Sequence, residues 1–336
     1  MDSIDFSLIR IPDFNANEVE RLEQISGGGN NRVFKLVLKD GTLRILKHYF
    51  RHPGDTRNRL DTEFGAFSFL WKNGVRSIPE PLGCDPNNGY ALYEYLAHEA
   101  SARDDIGTND VEQAVRFTET LSELAQTEEA NLLAPASEAC FSLDELLAVI
   151  GKRLAILRSV DGAQNPAQKE FRDYLEKQLE PGHVHAEKHA RKLLKEGTRR
   201  LERPLQTLSP SDFGFHNGLR KSDRTWIFQD FEYFGWDDPA KLIIDFELHP
   251  AMNLSEPLRQ KWREGTRSVF ARNLEIDTRL RALYPLYVTK WCIILLNEFV
   301  PEYRARRKFA STSNEDLRSL QLRQLEKAQS MLGRHY

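Results

Sequence analysis

Ser211-Asp-Phe-Gly-Phe-His-Asn217, then the apolar run Thr225-Trp-Ile-Phe-Gln229, then Asp230-Phe-Glu232, tells more about architecture than any other part of this chain. It sets Asp212, Asn217 and Asp230 at offsets of five and then thirteen residues. The first segment reads as a loop, and the apolar run as a short strand that delivers Asp230 to the same place. A loop Asp can accept a hydrogen bond from a hydroxyl group and take up its proton, while the side-chain oxygens of Asn217 and Asp230 are hard ligands suited to magnesium. An Asp-x4-Asn pair alone is common by chance, and the ordinary reading makes Asp212 a turn residue and Asn217 loop polarity. A second Asp at the end of an apolar strand lifts the pattern above that reading.

Upstream, from about Glu18 to Leu96, the signals are those of a small sheet. Val33-Phe-Lys-Leu-Val-Leu38 alternates, Asp40-Gly41 is a hairpin signal, and Thr42-Leu-Arg-Ile-Leu-Lys47 alternates again. Between Thr56 and Asn73 the apolar positions Leu60, Phe64, Phe67, Leu70 and Trp71 recur at helical steps, with Asn73-Gly74 as the stop. Two short apolar runs, near Ile78 to Gly83 and Tyr90 to Leu96, flank the turn-rich Asp85-Pro-Asn-Asn-Gly89.

Downstream the character changes to long helical stretches: Val111 to Glu128, Ser142 to Val160, Pro166 to Arg203, and most of Glu256 to Met331. Ser209 to Phe246 reads as loop and strand. Pro181-Gly182 is expected to split the mixed-charge stretch before Arg203 into two surface helices.

A loop acid, two hard oxygen ligands and an upstream sheet suggest phosphoryl transfer, where the protein contributes mostly geometry and charge neutralisation. A phosphate grip is expected upstream. Ile25-Ser-Gly-Gly-Gly-Asn-Asn-Arg-Val-Phe34 lies between two strand-like segments, and its residues Ser26, Gly27, Gly28, Gly29, Asn30 and Asn31 could bring backbone N–H groups close to phosphate oxygens. Alone, three glycines are more often a flexible turn. Lys47, at the end of the next strand, can reach the α and β phosphates, and Glu63 on the following helix can pair with its ammonium. Asp61 competes for that role, but Glu63 shares a helix face with Phe67 and Leu70 and should point inward.

This order of parts resembles the aminoglycoside phosphotransferase and choline kinase superfamily. The likeness rests on Asn31-Arg-Val-Phe34, Ile45-Leu-Lys47, Tyr93-Glu-Tyr-Leu96, Ser211 to Asn217, Gln229-Asp-Phe-Glu232, and Gly235-Trp-Asp-Asp-Pro239 leading to Asp245. It implies an α+β, protein-kinase-like fold: residues 1–96 as a nucleotide-binding N-lobe, a small antiparallel sheet with one helix ending in a hinge, and residues 97–336 as a larger, mainly helical C-lobe with the catalytic loop and acceptor site. It further implies ATP and Mg2+ as cofactors, Asp212 as the catalytic residue, Asn217 and Asp230 as metal ligands, and adenine pairing with backbone groups of Glu94 and Leu96. One departure stands out: the family usually carries a His two residues before the catalytic Asp, where this chain has Pro210. His216, directly before Asn217, is not at that position; it reads as loop packing, with a contact to acceptor or phosphate as the alternative.

Composition bounds the partners. The 336 residues carry 47 basic and 50 acidic side chains, a net charge of -3, which gives no bulk attraction to nucleic acid or anionic membrane. Cys84, Cys140 and Cys292 form neither a disulfide framework nor a zinc pattern, and no apolar run is long enough to span a bilayer, so a cytoplasmic setting is expected. The expected partner is a small hydroxylated acceptor such as a sugar, amino sugar or amino alcohol, which Trp236, Asp237 and Asp238 could face. The sequence carries no signal for an oligomeric state. The competing reading is a catalytically weak nucleotide-binding scaffold that grips a macromolecule through its charged helices. A protein kinase is disfavoured, because no Ala-Pro-Glu anchor follows Asp230.

Overall fold

The computed structural model describes residues 6, 9–25, 31–49, 51, 58–98, 105–161, 166–194, 199–301 and 316–334. They divide into two compact units, Met1–Glu138 with Leu208–Trp236, and Ala139–Thr207 with Asp237–Tyr336.

The first unit is built on a five-stranded antiparallel sheet of order β1-β2-β3-β5-β4, from β1 (Val19–Ile25), β2 (Arg32–Leu38), β3 (Leu43–His48), β4 (Pro81–Asp85) and β5 (Tyr90–Glu94). Asp40 and Gly41 close the β2–β3 hairpin, with Gly41 at φ 84° and the Asp40 carboxylate accepting the Thr42 N–H. Strand alternation separates the two faces of the sheet. Phe34, Leu36, Leu46 and Leu92 pack with Ile9 and Ile11 on one face. Lys47 therefore projects to the other, where the helix α1 (Arg59–Lys72) lies: its Phe67 meets Tyr93 edge to face at 5.5 Å. Asn58 caps α1 by accepting from the Asp61 N–H, which fixes the face that turns Glu63 inward and leaves Asp61 exposed.

The same unit holds α2 (Thr108–Leu124) and, after β6 (Thr207–Ser209), the short hairpin β7 (Gly218–Arg220) and β8 (Trp226–Phe228). Asp110 and Gln113 of α2 anchor that hairpin by accepting from Trp226 Nε1 at 2.7 Å and its backbone N–H at 2.9 Å. Gly218 is needed there, since a Cβ would stand 2.7 Å from the Trp226 ring.

The second unit is helical: α3 (Leu143–Arg158), α4 (Pro166–Tyr174), α5 (Glu180–Leu193), then, beyond β9 (Gly235–Asp237), α6 (Pro239–Leu248), α7 (Glu256–Val269), α8 (Ile276–Leu295) and α9 (Leu317–Gly333). Helix α8 packs against α5, α6 and α9. Two expectations are corrected here. Pro181-Gly182 does not break the chain: α4 and α5 run on through a π turn at Leu175–Leu179. The clash of Pro181 would fall on the carbonyl four residues back, Lys177, and the wider π turn moves that carbonyl out of the way. Residues 239–248 are a helix, not loop and strand, capped by Asp238 with Pro239 in the first turn. All ten of its residues are buried, so it shows no amphipathic period. Among the described residues no helix is long and apolar enough to cross a membrane.

Candidate active site

Lys47, Glu63 and Asp230 converge. The Lys47 Nζ donates to Glu63 Oε2 at 2.7 Å and to Asp230 Oδ1 at 2.6 Å. Strand β3 fixes the lysine, α1 the glutamate, and the end of the β7–β8 hairpin the aspartate. Burial by itself would lower the pKa of Lys47, but Asp230, Glu63 and Glu232 outweigh it and hold the ammonium well above its ordinary range. Burial raises Glu63 against the pull of Lys47. With Lys47 and Tyr49 donating to one of its oxygens and the Phe231 N–H to the other at 3.1 Å, Glu63 is held as the anionic half of an ion pair.

Two tyrosines extend this set. Tyr49 donates to Glu63 at 2.5 Å, and its hydroxyl lies 2.7 Å from that of Tyr93. Burial raises both phenols well above their usual range, so both keep their protons.

Asp230 sits at φ 65°, a left-handed conformation that costs a non-glycine residue energy. Its side chain is 41% exposed. Two residues on, Glu232 is buried, accepts from Asn31 Nδ2 at 2.9 Å and lies 3.8 Å from Arg59. Burial would lift Glu232, yet Lys47, Arg59 and the Asn31 amide hold it below its ordinary value.

Asp212 belongs to a second strained turn. Its N–H donates to the Pro210 carbonyl at 2.8 Å across Ser211, which is at φ 67°. Asn217 Nδ2 donates to the Asp212 carbonyl at 2.9 Å, leaving the amide oxygen as the group Asn217 can offer a cation. The Gln229 N–H donates to the Asn217 carbonyl at 2.9 Å, extending the β7–β8 pairing so that Asn217 and Asp230 stand at one end of the hairpin. Two hard oxygen donors there are a donor set that fits Mg2+. Beneath both turns Phe213, Phe228, Phe231, Phe117 and Phe67 form one aromatic cluster, with Phe213 and Phe228 centroids 4.8 Å apart and Phe67 and Phe231 5.0 Å apart.

The remaining expected residues fall into three groups. Asn31 is buried against Glu232, while Ser26, Gly27, Gly28, Gly29 and Asn30 lie outside the described residues. The Glu94 N–H donates to the Glu80 carbonyl, and the Leu96 carbonyl takes part in a contact with His98 Nδ1. Trp236, Asp237 and Asp238 do not face outward: all three are buried. Trp236 Nε1 donates to the Ala130 carbonyl, while in the second unit Asp237 holds Lys241 and Asp238 holds Arg279.

A family model described as the phosphotransferase enzyme family matches residues 21–248. The chain belongs to this family. No curated protein matches it in sequence. Solved structures share its fold at low identity. The spectinomycin phosphotransferase APH(9)-Ia, in complex with ADP and spectinomycin, has 10% identity and a TM-score of 0.60, covering 91% of this chain and 93% of that one. An ethanolamine kinase from Plasmodium vivax has 15% identity and a TM-score of 0.59, covering 93% and 83%. The choline kinase LicA from Streptococcus pneumoniae has 12% identity and a TM-score of 0.55, covering 95% of each. The fold is thus kinase-like, and the protein is a phosphotransferase.

Sequence reasoning did not find Tyr49, Arg59 or the buried Glu232. Only Glu232 carried a signal, as a charge two residues beyond Asp230; which partners would bury it depends on contacts far apart in sequence, Asn31 being 201 residues away.

Proposed function

We propose that this protein transfers the γ-phosphoryl group of ATP, with Mg2+, to a hydroxyl group of a small metabolite: a sugar, amino sugar or amino alcohol. The observation that carries the reading is the Lys47 ammonium held within 2.7 Å of Glu63 and 2.6 Å of Asp230. It supports a cation aimed at the nucleotide's phosphates beside a carboxylate suited to metal.

In this reading residues 1–96 are the nucleotide lobe, ending in a hinge that offers the Glu94 carbonyl and Leu96 N–H to adenine, and residues 97–336 carry the catalytic loop and acceptor site. Ser26, Gly27, Gly28, Gly29, Asn30 and Asn31 cover the phosphates. Asn217 and Asp230 would hold Mg2+, which would supply charge neutralisation for the nucleotide's phosphates. Asp212 orients the acceptor hydroxyl and takes its proton as the new O–P bond forms; the bond from the γ-phosphorus to the bridging oxygen breaks, and ADP leaves with that electron pair.

The carboxylates after Asp230 support an acceptor of low charge. Asp237, Asp238 and Glu247 are each committed to a lysine or arginine, leaving them little attraction for a polycation.

The test is ADP formation from MgATP with a panel of sugars, amino alcohols and aminoglycosides. One acceptor should raise ADP release above the acceptor-free rate, and Asp212→Asn should lower kcat by about 10²- to 10⁴-fold. If no acceptor does so and MgATP gives no thermal shift, the reading fails.

A further inference from the structure

We infer that His216 is the positioning residue for Asp212, a role that rests on the phosphotransfer reading above. His216 Nε2 lies 2.9 Å from Asp212 Oδ1. A base must be a carboxylate, and a carboxylate has no proton to give, so Nε2–H donates and Oδ1 accepts.

The structure explains why a loop histidine can do this. Phe215–Asn217 is a single 3-10 turn, anchored by Phe215, which is buried against Trp226 with ring centroids 4.7 Å apart. From that turn, two consecutive residues hold Asp212 at two points: Asn217 Nδ2 takes its backbone carbonyl at 2.9 Å and His216 takes its side chain. The imidazole is only 8% exposed, whereas the Asp212 carboxylate is 38% exposed. A buried ring pinning one oxygen fixes the rotation of the carboxyl group, and Oδ2 is the oxygen we assign to the acceptor hydroxyl.

Pro210 cannot share the task by side chain, having no polar atom there; it contributes through its carbonyl, which accepts the Asp212 N–H. Backbone and side chain of Asp212 are thus held from opposite sides in sequence, by Pro210 before it and by His216 and Asn217 after it. The donor that orients the base comes from four residues downstream.

Three roles for His216 are separable by experiment: phosphate contact, loop packing and orientation of the base. Steady-state kinetics on the best acceptor of the panel distinguish them, using His216→Phe, which fills the space without a donor, and His216→Gln, whose amide nitrogen can reach where Nε2 stands. For orientation, His216→Phe lowers kcat by about 10- to 100-fold and leaves the KM for ATP within about twofold, while His216→Gln recovers most of the loss. A phosphate contact would instead raise the KM for ATP, and packing alone would leave Gln no better than Phe; either result overturns the inference.

Histidine 15N NMR supplies a readout without turnover, with His216→Gln assigning the signal. Asp212→Ala should move the His216 Nε2 resonance, and an unmoved resonance also overturns the inference. Active wild type with an equally active His216→Phe sinks this inference alone. Wild type that transfers phosphate to nothing sinks the phosphotransfer reading and this inference with it.

Discussion

Among the described residues Lys241 and Lys47 are each set between two carboxylates, and the two triads are built differently. Lys241 pairs with Asp237 at 2.7 Å and Asp245 at 3.3 Å, four residues before and after it. That triad is local and sealed, with side-chain exposures of 1%, 0% and 10%, and Trp291 Nε1 also donates to Asp245 at 2.8 Å. Lys47 pairs with Glu63, 16 residues on, and with Asp230, 183 residues on. Its triad joins a strand, a helix and a hairpin end, and one member, Asp230, is partly exposed and at a strained φ of 65°. The same three ionic groups make a brace in one place and a socket in the other. What separates them is whether a carboxylate is left in reach of solvent and held at a conformational cost.

The comparison predicts opposite consequences for matched substitutions. Lys241→Met leaves two buried carboxylates without their cation and should cost about 3–5 kcal/mol of stability. Lys47→Met should cost about half of that or less, because water reaches Asp230, Glu63 keeps Tyr49 and the Phe231 N–H, and Glu232 keeps Arg59. Urea unfolding of both variants measures this. MgATP should still raise the melting temperature of Lys241→Met and should not raise that of Lys47→Met. Equal stability losses, or a preserved shift in Lys47→Met, would erase the distinction between brace and socket.

How far each triad was legible follows from the same difference. Lys47 and Glu63 stood out because strand alternation and a helical face each give a direction, and two directions meeting name a pair. The loop around Asp212 stood out by spacing. The brace was not legible as a triad: Asp245 stood out only through the family resemblance, α6 is buried on every side so no period marked Lys241, and Asp237 and Asp238 read as exposed polar groups when they are sealed. An Asp-Pro pair at its start was the one helix signal available. Pro181-Gly182 misled for a related reason, since local rules give proline its usual effect and cannot see a π turn upstream. Tyr49 and Arg59 were out of reach, because nothing local says which buried tyrosine or arginine will face a carboxylate.

A smaller effect sharpens the socket itself. Tyr49→Phe keeps the ring and removes the hydroxyl that links Glu63 to Tyr93, so it deletes a hydrogen bond to a charged group, worth about 1.5–3 kcal/mol. If that link aims the Glu63 carboxylate at Lys47, the KM for ATP should rise several-fold while kcat changes less. A loss of stability with an unchanged KM would make the tyrosine pair part of the core and not of the socket.

The smallest effect is a pH dependence. Glu232 is held below its ordinary value by Lys47, Arg59 and Asn31, outweighing its burial. A carboxyl group lowered on folding adds stability that is complete above its unfolded pKa, near 4.5, and is lost as pH falls through the lower folded value. Glu63, raised by burial, acts in the opposite sense, so wild-type acid stability alone would mix the two. The difference between wild type and Glu232→Gln isolates one of them. In urea unfolding that difference should favour wild type at neutral pH, stay level down to about pH 5 and shrink below about pH 4.5. A difference that stays level or grows in acid would mean that Glu232 is not held as an anion, and the link from Asn31 to the Asp230 turn would then have to rest on shape alone.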